Sequence, residues 1–131
     1  MENWKVFKEH DWQVGRPDRD GSFIKLSVGL TKWLVSDQGN VKREHYSEDG
    51  TLKKSFEIKQ HWKGRKDGNY KLLGIPTGEY VNRLVALQFV ENPEGLRFVI
   101  HINGDREDNS ASNLIWSKHP FTNSRPGALK D

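Results

Sequence analysis

Apolar residues along this chain fall in short runs separated by turn-forming clusters, a pattern that predicts strands more than helices. The segments 23–28, 33–35, 41–43, 52–59 and 70–75 have strand character. Between them lie Arg16-Pro17-Asp18, Asp37-Gln38-Gly39-Asn40 and Glu48-Asp49-Gly50, where glycine, proline and short polar side chains suit tight turns. One segment has the helical period instead. In 83–91, Leu84, Val85, Leu87 and Val90, with Ala86, supply an apolar face. Asn82 is placed to cap the start of this helix, and Asn92-Pro93 stops it. An apolar run at 96–100 then leads into His101, the turn Asn103-Gly104-Asp105 and a second apolar run, Leu114-Ile115-Trp116. That order predicts a strand, an irregular loop and a returning strand. The fold class read from the pattern is α+β: a small mixed domain of short antiparallel strands with one packed helix.

Composition narrows the picture. At 131 residues the chain is read as one domain with a modest core, because 34% of residues are hydrophobic and 30% charged. Five tryptophans and six phenylalanines must supply much of that core. Cysteine is absent, which excludes a disulfide scaffold and a thiolate zinc site and fits a reducing, cytoplasmic setting. No apolar run approaches the roughly 18 residues of a membrane span, and the opening residues lack the apolar centre of a signal peptide, so no membrane role is expected. The net charge of +3 mildly favours an anionic partner.

Charge position says more than the total. Residues 53–66 hold six Lys or Arg against one Glu, with His61 and Trp62 among them. Lys53, Lys54, Lys59, Lys63, Arg65 and Lys66 suit neutralisation of backbone phosphates, and Trp62 suits stacking on a base or wedging beside a duplex. A solvated edge strand guarded by lysines, with Trp62 covering the core, accounts for the same residues. The spacing leaves both readings open.

The stretch 99–116, VIHINGDREDNSASNLIW, places one histidine and several asparagines around an acidic, glycine-containing loop. Such a loop can hold a histidine rigidly against a phosphate while asparagine amides bond the loop's own carbonyls. Here a resemblance enters. The run Val81-Asn82-Arg83-Leu84-Val85-Ala86-Leu87-Gln88-Phe89-Val90, then His101-Ile102-Asn103-Gly104-Asp105, Asn109 and Asn113-Leu114-Ile115-Trp116, resembles the HNH homing endonucleases of phages. In that family a histidine precedes RLVA and is followed by HIDGDK, a paired-asparagine turn and NLEW. Upstream, Trp33-Leu34-Val35-Ser36-Asp37-Gln38-Gly39-Asn40-Val41-Lys42-Arg43 is similar to the YxVSNxGxVRS motif that often precedes this nuclease core. The match spans roughly residues 32–123 and departs from the pattern at Asn82, in place of the histidine before RLVA, and at Ile115, in place of the glutamate of NLEW.

The resemblance implies a C-terminal β-β-α-metal (HNH) motif within 80–125, preceded by a strand-rich, DNA-contacting region at 32–75. Residues 1–31 have no assigned counterpart, and 126–131 form a tail. His101 would be the general base that deprotonates the attacking water, and Asn113 would orient it by tying the loop carbonyls together. Asn109 would close the turn and Asn103 support the loop. One divalent cation is implied, Mg²⁺ or Mn²⁺, with Zn²⁺ or Ni²⁺ able to occupy the site in crystals. The residue before the catalytic histidine often supplies a metal ligand, but here it is Ile100. Asn123 stands near the position of the second ligand. His119, four residues earlier, would share its face on a helix begun by Ser117 and Pro120 and ended by Pro126. Asp105 and Asp108 are alternative ligands, or plain solvated turn carboxylates. The implied activity is hydrolysis of a phosphodiester bond in double-stranded DNA by a monomer or homodimer, one site nicking one strand and a double-strand break implying dimerisation or sequential cuts, with Lys42, Arg43 and the 53–66 strip contacting DNA. Two rivals compete with it. One is a catalytically weakened HNH-like DNA-binding protein, and the other is an inhibitor or regulator that uses this fold to bind a protein partner.

Overall fold

The computed structural model describes residues 1–64 and 71–119. Its largest part is a four-stranded antiparallel meander, β1 (Trp4–Pro17), β2 (Phe23–Ser36), β3 (Val41–Ser47) and β4 (Leu52–Glu57), in the spatial order of the chain. Two further hairpins follow, β5 (His61–Gly64) with β6 (Lys71–Gly74), and β7 (Phe98–His101) with β8 (Leu114–Ser117). The helix α1 (Val81–Phe89) separates them, and a single 3₁₀ turn, Ala111–Asn113, leads into β8. The described residues thus form a mixed domain of mainly antiparallel strands with one helix, consistent with α+β. No helix among them is long and apolar enough to cross a membrane.

Several elements differ from the sequence reading. The segments 23–28 and 33–35 belong to one continuous strand, because Gly29 and Thr31 pair without interruption to both neighbours. That strand is matched by β1, which the run of alternating charged and aromatic residues in 4–17 conceals. The fourth strand ends at Glu57, and Tyr70 lies outside the described residues. The helix starts at Val81 rather than Arg83. Tyr80 occupies the cap position without a side-chain cap bond, and Asn82 is a buried helical residue whose Oδ1 has no partner among the described residues. The buried stripe is therefore Val81, Leu84 and Val85, spaced three and four apart, while Leu87 is 58% exposed. The helix also ends early, at Phe89 with Val90 as its cap, and the Asn92 side chain instead shapes the loop beyond it by bonding both the amide and the carbonyl of Leu96.

The core gathers this stripe against Val35 and Val41 of the large sheet, Ile75, and Val99, Leu114 and Trp116 of the last hairpin. Each such fully buried aliphatic side chain contributes about 1.5–3 kcal/mol relative to exposure. Trp116 joins the layers directly, donating from Nε1 to the Val90 carbonyl at 3.2 Å while the Arg83 guanidinium lies 5.5 Å from its ring centre. The histidine loop between β7 and β8 is thereby carried on the same packing unit as the helix.

Candidate active site

Strand β7 alternates, so Val99 and His101 share a side while Ile100 points to the other. His101 ends the strand buried, at 4% exposure, opposite Leu114. Its Nε2 donates to Asn109 Oδ1 at 2.7 Å. That bond places the ring proton on Nε2 and leaves the Nδ1 lone pair free to act as a base. Burial holds the imidazole below its ordinary pKa of 6.5, against smaller raising effects from the Asn109 bond and the Asp105 carboxylate. The ring is therefore neutral at pH 7.

The loop that carries Asn109 is built from asparagine and aspartate bonds to its own backbone. Asn113 Oδ1 accepts from the Asn103 amide at 3.1 Å, while Asn113 Nδ2 donates to Asn103 Oδ1 and to the Asp108 carbonyl. Asn103 Oδ1 also accepts from the Asp105 amide at 2.8 Å. Asp105 and Asp108 in turn accept from the amides of Glu107 and Ser110. The two carboxylates thus serve the turn, each bonding an amide two residues on. Asn113 acts on the loop backbone, and the side chain in contact with the imidazole is Asn109.

A second turn braces this loop from below. Asp37 accepts from the Ala111 amide through its carbonyl at 2.8 Å, and buried Gly39 lies against Asn109. Gly39 has φ of +88°, which glycine adopts without steric cost. Ser36 Oγ accepts from the amides of Gln38 and Asn40, and Gln60 Nε2 donates to the Gly39 carbonyl at 2.7 Å. Asn3 clasps the Asp37 carboxylate through its amide and side chain, each at 3.0 Å, and holds that carboxyl below its usual range. Sequence reasoning singled out 37–40 only as a turn and as part of a motif. Its function as a brace for Asn109 is legible only in space, since the two segments are far apart in the chain.

The expected metal and DNA residues are distributed differently. His119 is exposed beyond the end of β8, its amide donating to Ser117 Oγ, and Ser117 is the last residue of that strand. Asn123, Pro120 and Pro126, with the helix expected there, lie outside the described residues, as do Arg65 and Lys66. Among the described residues no three His, Asp or Glu side chains converge as a metal site. Ile100, in the position before the histidine, is buried at 4% exposure. Lys53 and Lys54 on β4, and Lys59 just beyond it, are exposed. Trp62 is 45% exposed, whereas Lys63 donates to the Gly78 carbonyl at 2.9 Å. Lys42 lies 4.3 Å from the centre of the Trp4 ring and pairs with Glu44 at 3.5 Å. Arg43 is on the opposite face of the sheet, with the Trp33 and Phe56 ring centres 5.3 and 5.1 Å away.

The chain is similar to two proteins of Acanthamoeba polyphaga mimivirus, each named as an uncharacterized HNH endonuclease. The first is 37% identical over 95 residues, covering 67% of this chain and 21% of that relative. The second is 35% identical over 52 residues, covering 36% of this chain and 16% of the relative. The chain spans about a fifth of the length of the curated relatives it matches. No family model matches it, and no solved structure does. The two likenesses support an HNH nuclease family.

Proposed function

We propose that this protein is an HNH-type DNA endonuclease in which His101 is the general base. The observation that carries the reading is the neutral, buried imidazole whose Nε2 is tied to Asn109 and whose Nδ1 is left as the acceptor. In the proposed reaction Nδ1 takes a proton from a water that attacks the phosphorus of a phosphodiester. The P–O bond opposite the attacking water then breaks, and the departing oxygen takes a proton from solvent. Asn109 fixes the imidazole's tautomer and direction, and the Asn103–Asn113 pair fixes the loop that carries Asn109. One such centre acts on one strand at a time, so the product is a nick in double-stranded DNA. The protein acts in the cytoplasm of a host cell as a product of a phage or other mobile element. The viral source of both relatives supports that setting.

A divalent cation, Mg²⁺ or Mn²⁺, belongs to the proposal, and when bound it stabilises charge on the phosphate. The described residues do not complete a centre for it. Ile100 offers no donor atom and His119 stands alone, with Asn123 as the other proposed ligand outside the described residues. Buried Ile100 favours a second reading, a protein that binds DNA through the same fold without cutting it.

Supercoiled plasmid incubated with the protein and Mg²⁺ or Mn²⁺, beside a His101→Ala control, separates the two. Conversion to open circle by the native protein alone supports the proposed mechanism. Nicking that survives His101→Ala overturns the assignment of the base. Salt-sensitive binding without nicking supports the second reading, and neither binding nor nicking points to the protein-binding regulator.

A further inference from the structure

The four-stranded sheet is sorted by charge. Its register places Lys8, Trp33, Arg43 and Phe56 in one row and His10, Thr31, His45 and Lys54 in the next, all on one face. Trp12 and Gly29 extend that face, and the Trp12 ring lies so close over Gly29 that a Cβ there would fall 2.5 Å from it. Every carboxylate of the four strands, Glu9, Asp11, Glu44 and Glu57, belongs to the opposite face, where Lys32 and Lys42 accompany them. Among the described residues, helix α1 covers the basic face only at its end, at Val35 and Val41. At the margin of the open part, Lys8 meets Glu79 at 4.0 Å.

The open part carries aromatic rings as well as cations. Trp12 meets His45 edge to face at 6.5 Å, and His45 meets Phe56 in the same way at 5.6 Å. The Arg43 guanidinium lies between Trp33 and Phe56, makes no ion pair with any described residue, and has a buried Nε without a partner. Burial, and then the neighbouring Arg43 and Lys54, hold the His45 pKa down. Thr31 Oγ1 is 2.9 Å from His45 Nδ1, so the ring is fixed from below. A guanidinium flanked by aromatic rings and without an ion pair among the described residues calls for an anion. Phe56, 38% exposed, presents ring surface beside it.

We propose that this face binds an unpaired stretch of DNA, with a backbone phosphate on Arg43 and Lys54 and a base against the Phe56 ring. The proposal rests on the reading of the protein as one that acts on DNA, and it extends that reading from a duplex to a locally opened strand. A duplex hides the faces of its bases within the stack, so only an unpaired base can use a ring on a sheet in this way. The phosphate contact follows from the absence of carboxylates. On the other face of the same sheet, the same strand would meet Glu9, Asp11, Glu44 and Glu57.

The test is fluorescence anisotropy of a labelled thymidine oligonucleotide, and of a duplex of equal length, titrated with full-length protein in EDTA so that cutting is absent. Lys54→Glu on the basic face and Lys32→Glu on the opposite face change the net charge equally. The expected results are about a tenfold or greater loss of single-strand affinity for Lys54→Glu, with little change for Lys32→Glu. Phe56→Leu, which keeps an apolar side chain beside Arg43, is expected to cost about tenfold on the single strand and little on the duplex. The NMR-measured pKa of His45 rises when the oligonucleotide binds, because a phosphate replaces an all-positive surrounding. Equal losses from the two charge reversals overturn the proposal, and so does a Phe56→Leu protein of native single-strand affinity. His101→Ala leaves all these affinities unchanged, so loss of nicking and loss of strand binding are read separately.

Discussion

Gly39 sits directly against Asn109: a methyl group at position 39 would fall 3.0 Å from the Asn109 Cβ and 3.1 Å from its carbonyl oxygen. Asn109 is the residue that holds His101, so a turn between two strands of the large sheet sets the position of a loop some seventy residues later. Gly39→Ala must adopt a positive φ, at about 1–2 kcal/mol, and must also push Asn109 away. We expect a fall in unfolding free energy of about 1–3 kcal/mol by urea denaturation, with a proportionally larger loss of nicking. A variant of native stability and native activity would show that the contact is idle.

Asn109 itself separates support from chemistry. Asn109→Ala leaves a buried ring N–H unpaired, which costs about 1–3 kcal/mol, and frees the imidazole to rotate. Asn109→Asp keeps an acceptor at the same place but adds a negative charge, which favours the imidazolium and raises the His101 pKa. The acid limb of the pH–rate profile should therefore move to higher pH in Asn109→Asp. An unmoved limb in a protein that still nicks would remove His101 from the role of base.

Both His101 and His45 titrate below the ordinary 6.5, and in each burial is the largest cause. The folded state then binds protons less readily than the unfolded chain. The stability these residues contribute is complete above pH about 6.5 and is lost as pH falls through and below it toward their folded values, at up to about 1.4 kcal/mol per unit for each proton. Thermal melts from pH 8 to pH 5 are expected to show a falling Tm below pH about 6.5. The fall should be shallower in His45→Phe, which cannot take up a proton. Nicking by the proposed mechanism is expected to rise with pH as the His101 imidazole loses its proton.

Ile100 offers a direct probe of the cation. Ile100→Asp introduces an oxygen donor at the position before His101 but buries a carboxyl where an aliphatic side chain now packs, so without metal it destabilises the fold by about 2–4 kcal/mol. Millimolar Mn²⁺ should then raise the Tm of the variant more than that of the native protein, by mass action. Equal shifts in the two proteins would place the cation away from position 100.

The parts legible in the sequence are those whose signal is local. The histidine loop announced itself through Asn103-Gly104-Asp105 and the two flanking apolar runs, and those runs are β7 and β8. The helix is visible through its period, but its start is not, because Asn82 has the chemistry of a cap and instead lies buried inside the first turn. Strand β1 was hidden because its alternation sets charged residues against charged or aromatic ones, as in Lys8, Glu9, His10 and Asp11, and leaves no clean apolar period. The sorting of carboxylates to one sheet face was likewise out of reach, since it depends on a register that only the paired strands define. The partnership of His101 with Asn109 lies between these cases: both residues stand out in the sequence, while their mutual bond depends on the loop's geometry.

The brace beneath the histidine also has a kinetic meaning. Residues 2 and 3 find their partners at 40 and 37 respectively, and the carbonyl of residue 37 finds its own at 111. Each of these links closes a long stretch of chain, and loop closure over such separations is slow compared with forming a hairpin. The sheet can therefore be in place while the histidine loop is still free, and the loop acquires its shape only by docking on a turn made beforehand. The proposed reactive centre is then complete only once the turn at 36–40 and the loop at 101–113 have met, so its formation depends on long-range contacts and not on the hairpin alone.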